Sequence, residues 1–197
     1  MTAPPSDFAG ELAALVDDYR IHSNIALLRE RLQALARTAT PDAIVIAAEP
    51  YKDEPEIVAP MYELVVEAQP ENARALVILA NAYWLVGLGP DVVGELASRA
   101  IAADPGNRGG WHLWALSESD PRARVSRWQQ VRARFPTDDL ALVNVADNAA
   151  AVAGAEQDYG MLDIAVAAYE SLLERAELPA QRDALDTALR ALRGWRF

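Results

Sequence analysis

The sequence predicts an all-α fold of about eleven helices, stacked as antiparallel hairpins into a right-handed superhelix. Three observations predict it. Apolar residues recur at helical spacing along the chain, and the alternation typical of β-strands is absent. Pro70, Pro105 and Pro136 each stand between two predicted helices, about 35 and 31 residues apart. A 52% hydrophobic composition is ample for the core of one domain or one short solenoid.

The N-terminal part of the chain predicts three helices. A stripe of Phe8, Leu12, Leu15, Val16 and Tyr19 indicates the first, over 8–20. Ser23 is predicted to cap the second, over 24–38, where leucines recur at helical spacing. Thr40 followed by Pro41 predicts the start of the third helix, and Glu49-Pro50 its end.

The fourth helix is predicted within 53–69. Pro60 conflicts with a helix interior, since proline lacks the N–H group and clashes with the preceding turn. The helix therefore either begins near Ala59 or is kinked at Pro60. The glycine-rich stretch Gly106–Gly110 is interpreted as a turn between helices, because no strand precedes it. The later helices are predicted over 73–86, 91–103, 111–116, 120–135, 138–153, 159–176 and 179–193.

The segment 74–105 resembles a tetratricopeptide repeat position by position. Val77 stands at the place of the family's tryptophan, Trp84 at its tyrosine, and Pro105 closes the repeat. The remaining matches are Ala80 and Asn81 at the Leu-Gly pair, and Val93, Ala97 and Ala100 in the second helix. Asn81 departs from glycine and Ala97 from an aromatic residue. The resemblance extends in weaker form over 41–178. It implies an N-terminal helical pair, 1–40, that caps the stack or shields its groove, and a C-terminal capping helix, 179–197.

The resemblance also implies a concave groove lined by the first helices of the repeats, where a partner polypeptide would bind. Beside the small Ala75 and Ala82, the matching positions are Ile78, Leu85, His112, Leu116, Val143 and Asp147. Most of these are apolar, so something is expected to cover them: another protein, a peptide, or the chain's own N-terminal helix.

Two further residue sets are candidate surfaces. Arg122, Arg127 and Arg134 belong to a run of five arginines without an acid, which favours a solvated helix face over a basic binding patch. The tryptophans Trp84, Trp111, Trp114 and Trp128 occupy core places of the repeat, which favours packing over an aromatic ligand box.

Composition argues against several classes of protein. The chain has no cysteine and two distant histidines, so we expect no enzyme, no metal site and no cofactor. A net charge of −11 disfavours nucleic-acid binding. No apolar run approaches a membrane span, and Met1–Gly10 lacks the pattern of a signal peptide, so a cytoplasmic location is predicted.

These features favour a non-enzymatic adaptor that binds another protein or a peptide. A first alternative is a self-assembling structural or regulatory protein, dimerising through 24–38 or through Trp195-Arg196-Phe197. A second alternative is a sensor of a small ligand.

Overall fold

A computed structural model describes residues 7–197. Within that range the chain is all-α, as predicted, with eleven α-helices and one 3-10 turn, Glu49–Tyr51. The helices are α1 (Phe8–His22), α2 (Ile25–Ala36), α3 (Pro41–Ala48), α4 (Pro55–Ala68), α5 (Ala73–Leu85), α6 (Pro90–Ala103), α7 (Arg108–Leu116), α8 (Pro121–Arg134), α9 (Asp139–Glu156), α10 (Tyr159–Arg175) and α11 (Pro179–Arg193).

Short polar side chains determine where most helices begin. The side-chain oxygens of Thr40 and Asp120 accept hydrogen bonds from the backbone N–H groups of Ala43 and Ala123, and proline follows each of them. These two predicted starts are confirmed, because such a cap satisfies an N–H group that has no partner inside the helix. The other helices capped in this way begin after Asp7, Asn24, Asn72, Asp138 and Asp158.

The prediction that Ser23 caps the second helix is wrong. Asn24 is the cap, and its side chain accepts from the N–H of Leu27 at 3.1 Å. Ser23 instead ends α1 in the left-handed conformation, with φ of 53°, and its N–H donates to the carbonyl of Tyr19. Two adjacent residues can each serve one helix, so the link between α1 and α2 is only two residues long.

The fourth helix lies within its predicted range, 53–69. It starts at Pro55, not near Ala59, and continues through Pro60, which is buried. The buried apolar face of α4 offsets the one hydrogen bond that Pro60 removes. Gly106–Gly110 is only partly a turn, since α7 already begins at Arg108. A side chain at Gly109 would lie 2.9 Å from Val77, so glycine allows α7 to approach α5 closely.

The chain divides into two compact units, with the boundary inside α7 after Leu113. In the first unit the hairpins α1–α2, α3–α4 and α5–α6 each pack as antiparallel neighbours. Successive hairpins are joined by packing of α1 on α3, α2 on α4 and α4 on α5. One hairpin cannot bury its apolar face alone, which is why the hairpins stack.

The second unit, Trp114–Phe197, is built around α9. α8 and α10 pack against α9, and α11 packs against α10. Ala149, Ala153 and Gly154 keep one face of α9 small, and the ring of Trp195 lies against Gly154. The core here is completed by Val125, Val152, Leu162, Ala165 and Leu192.

The N-terminal helix lies beside its neighbours in sequence. Phe8, Leu12 and Val16 of α1 are buried, and the helix packs against α2 and α3. This is the arrangement that end-capping requires, since sequential helices usually pack side by side.

The prediction of four core tryptophans is wrong for Trp84. Trp128 is 2% exposed, whereas Trp84 is 37% exposed. Trp111 and Trp114 are half-buried. Trp84 lies in the last turn of α5. Among the described residues, no helix is long and apolar enough to cross a membrane.

Candidate functional site

A cleft of about 440 Å³ lies in the first unit, between α3, the 3-10 turn, α5 and the residue before α7. Four residues of α5 line the cleft: Arg74, Val77, Ile78 and Asn81. They are spaced three or four positions apart along the helix and therefore lie on one of its faces. The opposite face of α5 is buried, through Ala75, Leu76, Leu79 and Ala80. The cleft therefore lies on the side of α5 opposite its buried face.

The floor of the cleft is apolar and its rim is polar. Ala48, Tyr62, Val77 and Ile78 form the floor. The rim consists of Glu49, Lys52, Asp53, Arg74, Asn81 and Asn107. Two carboxylates and two cations leave the rim without net charge, and two amides add donors and acceptors. Such a surface suits a ligand with polar groups, little charge and one apolar substituent.

Ion pairs hold part of the rim. Arg74 lies 3.5 Å and Lys52 4.0 Å from the carboxylate of Glu49. All three side chains are more than half exposed, so these pairs are weak and can open for a ligand. The side-chain oxygen of Asn107 accepts a hydrogen bond from the N–H of Gly110. This bond does not involve the side-chain NH₂ group of Asn107.

The phenol of Tyr62 is the most enclosed polar group of the cleft. The residue is 3% exposed, and burial raises the pKa of its hydroxyl above the ordinary value. Arg74 opposes this rise in pKa and Glu49 adds to it. Tyr62 is therefore neutral at physiological pH and offers both a donor and an acceptor at the cleft floor.

The residues predicted to line a groove are found in different settings. Ile78 is half-buried and lines the cleft. Leu85, two turns further along α5, is 58% exposed, and His112 is half-buried in α7; neither lines the cleft.

The other predicted groove residues belong to the second unit. Leu116 is half-buried. Val143 and Asp147 are exposed one turn apart on α9. Asp147 accepts a 2.5 Å hydrogen bond from the hydroxyl of Tyr169. Burial and this bond raise the pKa of Tyr169 to about 12.

Two of the three candidate patch arginines make intramolecular bonds. Arg122 pairs with Glu156 at 2.6 Å and with Asp158 at 2.5 Å. Arg127 donates to the carbonyl of Trp114 at 2.7 Å, pairs with Glu118 at 2.6 Å and stacks 4.6 Å from the Trp114 ring. Arg134 is exposed beside Phe135. The positive charge of this run thus acts mainly inside the second unit.

The C-terminal segment that was a candidate dimer contact packs within its own unit. The Tyr159 hydroxyl donates to the carbonyl of Phe197 at 3.2 Å and accepts from its N–H at 2.9 Å. The ring of Phe197 lies 5.0 Å from that of Tyr159 and 5.8 Å from that of Trp195.

Of the ten cleft residues, sequence reasoning placed only Ile78 in a groove, and Tyr62, Arg74 and Asn107 are among those it missed. Tyr62 comes from a second helix and Asn107 from an inter-repeat link, whereas groove positions were carried over only from first helices. Asn81 could have been predicted from the sequence. It is an amide at a repeat position of small residues, and it shares a helix face with Ile78. Among the described residues, no group of three or more His, Asp or Glu side chains is placed to hold a metal ion.

Comparisons with known proteins identify the fold. No known family profile matches the chain, and no curated protein matches its sequence. Solved structures do match. "Crystal structure of MamA" is 15% identical, with a TM-score of 0.51, over 74% of this chain and 91% of that one. "MamA RS-1 ArsTM double mutant" is 12% identical, with a TM-score of 0.53, over 93% of this chain and 97% of that one. The fold is therefore that of a tetratricopeptide-like helical-repeat protein, the fold class of MamA.

Proposed function

We propose that this protein is a non-enzymatic adaptor that binds a peptide segment of another protein in the cleft of its first unit. The observation that carries the proposal is the pairing of an apolar floor with a rim that has no net charge and carries two amides. Helices hold such groups in place before binding, which lowers the entropic cost of association.

An extended peptide has the chemistry that this cleft matches. Its backbone N–H and C=O groups can pair with the amides of Asn81 and Asn107 and with the Tyr62 hydroxyl. One apolar side chain of the peptide can lie on Val77 and Ile78, where each buried methylene contributes about 0.8 kcal/mol. The weak pairs on Glu49 allow Arg74 to turn toward a peptide carbonyl. Leu85 and His112 of the first unit are proposed as partner contacts outside the cleft, and Leu116, Val143 and Asp147 are proposed as partner contacts of the second unit.

The test is selection from a library of random linear peptides on the purified protein, followed by fluorescence anisotropy of the selected peptides. We expect Ile78→Asp and Asn81→Ala to weaken binding about tenfold or more. Ile46→Asp is the matched control, because Ile46 is 75% exposed on α3 and does not line the cleft.

Three results would count against peptide binding in the cleft. Selected peptides could bind equally to all variants, which would place their site elsewhere. A metabolite that raises the melting temperature in wild type but not in Asn81→Ala would support the small-ligand sensor. Self-association in sedimentation experiments that is lost in Ile78→Asp would support the self-assembling alternative.

A further inference from the structure

The tip of the α5–α6 hairpin exposes an unusual number of apolar side chains. Five large ones lie within nine residues, and all are at least 37% exposed: Trp84, Leu85, Val86, Leu88 and Val92. We call these five residues the tip patch. A side chain built at Gly87 or at Gly89 would meet no atom within 4 Å, so nothing in the described chain covers the tip.

The hairpin does not need these side chains for its own packing. α5 and α6 bury a separate set of residues, Leu76, Leu79 and Ala82 on one helix and Val93, Leu96 and Ala97 on the other. Scattered exposed leucines are ordinary, but a cluster that includes a tryptophan is typical of a protein–protein contact.

The charges around the tip patch are acidic. No basic residue stands between Arg74 and Arg99, whereas Asp91 and Glu95 are exposed on α6. The antiparallel packing of α4 on α5 brings the start of α4, with Glu54 and Glu56, to the same end of the hairpin.

One of the acids at the start of α4 is already paired. Arg20 lies 3.0 Å from Glu54. The negative charge beside the tip patch is therefore that of Asp91 and Glu95, which are exposed on the same hairpin.

This charge distribution decides which occupant fits. A second copy of the chain, placed tip to tip, would bring two acidic rims together, and a membrane surface carries anionic lipids. A segment whose apolar face is flanked by Lys or Arg gains attraction at the rim and burial at the centre.

We propose that the tip patch docks a basic amphipathic helix of another protein. The apolar face of that helix covers Leu85, Leu88 and Val92, and its lysines or arginines lie against Asp91 and Glu95. The surface is distinct from the cleft, since Ile78 lies two turns before Leu85 on α5 and Leu85 does not line the cleft. The adaptor would then contact its partners at two separate places.

The test uses two synthetic helical peptides with the same leucine face, one with lysines and one with glutamates on the polar face. Binding is measured by anisotropy at low and at physiological salt. We expect the lysine peptide to bind at least about tenfold more tightly, with an affinity that falls as salt rises.

Matched variants separate docking from general attraction to an acidic protein. Leu85→Asp and Ile46→Asp add the same charge at exposed positions, and only Leu85→Asp is expected to abolish binding of the lysine peptide. Asp91→Lys is expected to weaken binding of the lysine peptide, and Ile78→Asp is expected to leave that binding unchanged.

Several outcomes would overturn the proposal. Equal loss, or no loss, in Leu85→Asp and Ile46→Asp would mean that the attraction is non-specific. Self-association abolished by Leu85→Asp would make a second copy the occupant, and binding to anionic lipid vesicles that Leu85→Asp abolishes would make it a membrane. Failure of the cleft experiments alone would leave the tip patch standing, because the tip patch is tested with other peptides and with its own variants, Leu85→Asp and Asp91→Lys.

Discussion

At the residue scale, two tryptophans with core places in the repeat pattern differ in burial. We therefore expect them to contribute differently to the free energy of unfolding. Trp128 is 2% exposed and Trp84 is 37% exposed. Trp128→Ala is expected to destabilise the protein by about 3–5 kcal/mol, because it leaves a large cavity. Trp84→Ala is expected to cost about 1 kcal/mol or less. Urea unfolding followed by circular dichroism measures both, and similar costs for the two variants would contradict the difference in packing.

Arg127 and Arg134 belong to the same arginine run but differ in their contacts. Arg127 donates to the carbonyl of Trp114, pairs with Glu118 and stacks on the Trp114 ring, with 27% of its side chain exposed. Arg124 also donates to the carbonyl of Glu118, so the two arginines bond carbonyl groups at the end of α7 and just after it.

Arg127→Ala is expected to cost about 1–3 kcal/mol, since hydrogen bonds from a charged donor are the stronger kind. Arg134→Ala is the control, with an expected change of about 0.5 kcal/mol or less for an exposed residue. Equal unfolding midpoints for the two variants would show that the Arg127 contacts contribute little.

At the element scale, Asp158 determines the start of α10. Its carboxylate accepts from the N–H groups of Gly160 and Met161, and Arg122 donates to it at 2.5 Å. The hydrogen bond from Arg122, and then those from the backbone, hold the pKa of Asp158 below its ordinary value.

A lowered folded-state pKa means that the carboxylate stabilises the protein at neutral pH and down to the ordinary aspartate pKa of about 3.9. That contribution is lost as the pH falls through the lowered folded-state pKa. Asp158→Asn is therefore expected to melt at a lower temperature than wild type at pH 7, and the difference is expected to shrink below about pH 4. Thermal unfolding monitored across pH checks this, and a difference independent of pH would exclude a role for the charge.

Two glycines in the turn between α5 and α6 are expected to change stability in opposite directions when they are substituted. The N–H groups of Gly87 and Leu88 donate to the carbonyls of Trp84 and Tyr83, which closes α5 in a Schellman motif with φ of 78° at Gly87. Gly89 precedes α6 without a side-chain cap, at φ of −57°, a value that any residue adopts.

Gly87→Ala is expected to destabilise by about 1–2 kcal/mol, because a side chain strains the left-handed conformation. Gly89→Ser is expected to stabilise by about 0.5–1 kcal/mol, through a new cap and a less flexible unfolded chain. Chemical unfolding of the two variants measures these changes, and stabilisation by Gly87→Ala would refute the assigned turn.

At the scale of the whole molecule, the placement of α1 predicts the effect of a truncation. α1 buries Phe8, Leu12 and Val16 against α2 and α3. A protein lacking residues 1–22 exposes those surfaces, so its melting temperature is expected to fall. Its affinity for peptides that depend on Ile78 is expected to remain unchanged, because α1 does not line the cleft. A truncated protein that stays fully stable and binds such peptides more tightly would instead place α1 over a groove.

The sequence by itself predicted the fold class and most helix positions. Helical periodicity and short polar caps such as Thr40 and Asp120 act over a few residues, so they can be read without knowing what lies across the molecule. Ser23 and Asn24 show the limit of this reading: two adjacent capping residues could each serve, and the sequence did not show which one took which helix.

Only the tertiary structure decided which apolar residues are covered. Trp84 and Trp128 both occupy core places of the repeat pattern, yet Trp84 is 37% exposed and Trp128 is 2% exposed. Likewise, Tyr62 and Asn107 join Ile78 in one cleft although they stand 16 and 29 positions away from it in sequence. Burial and site composition depend on contacts between distant segments, and a local pattern carries no information about the angle and distance at which helices meet.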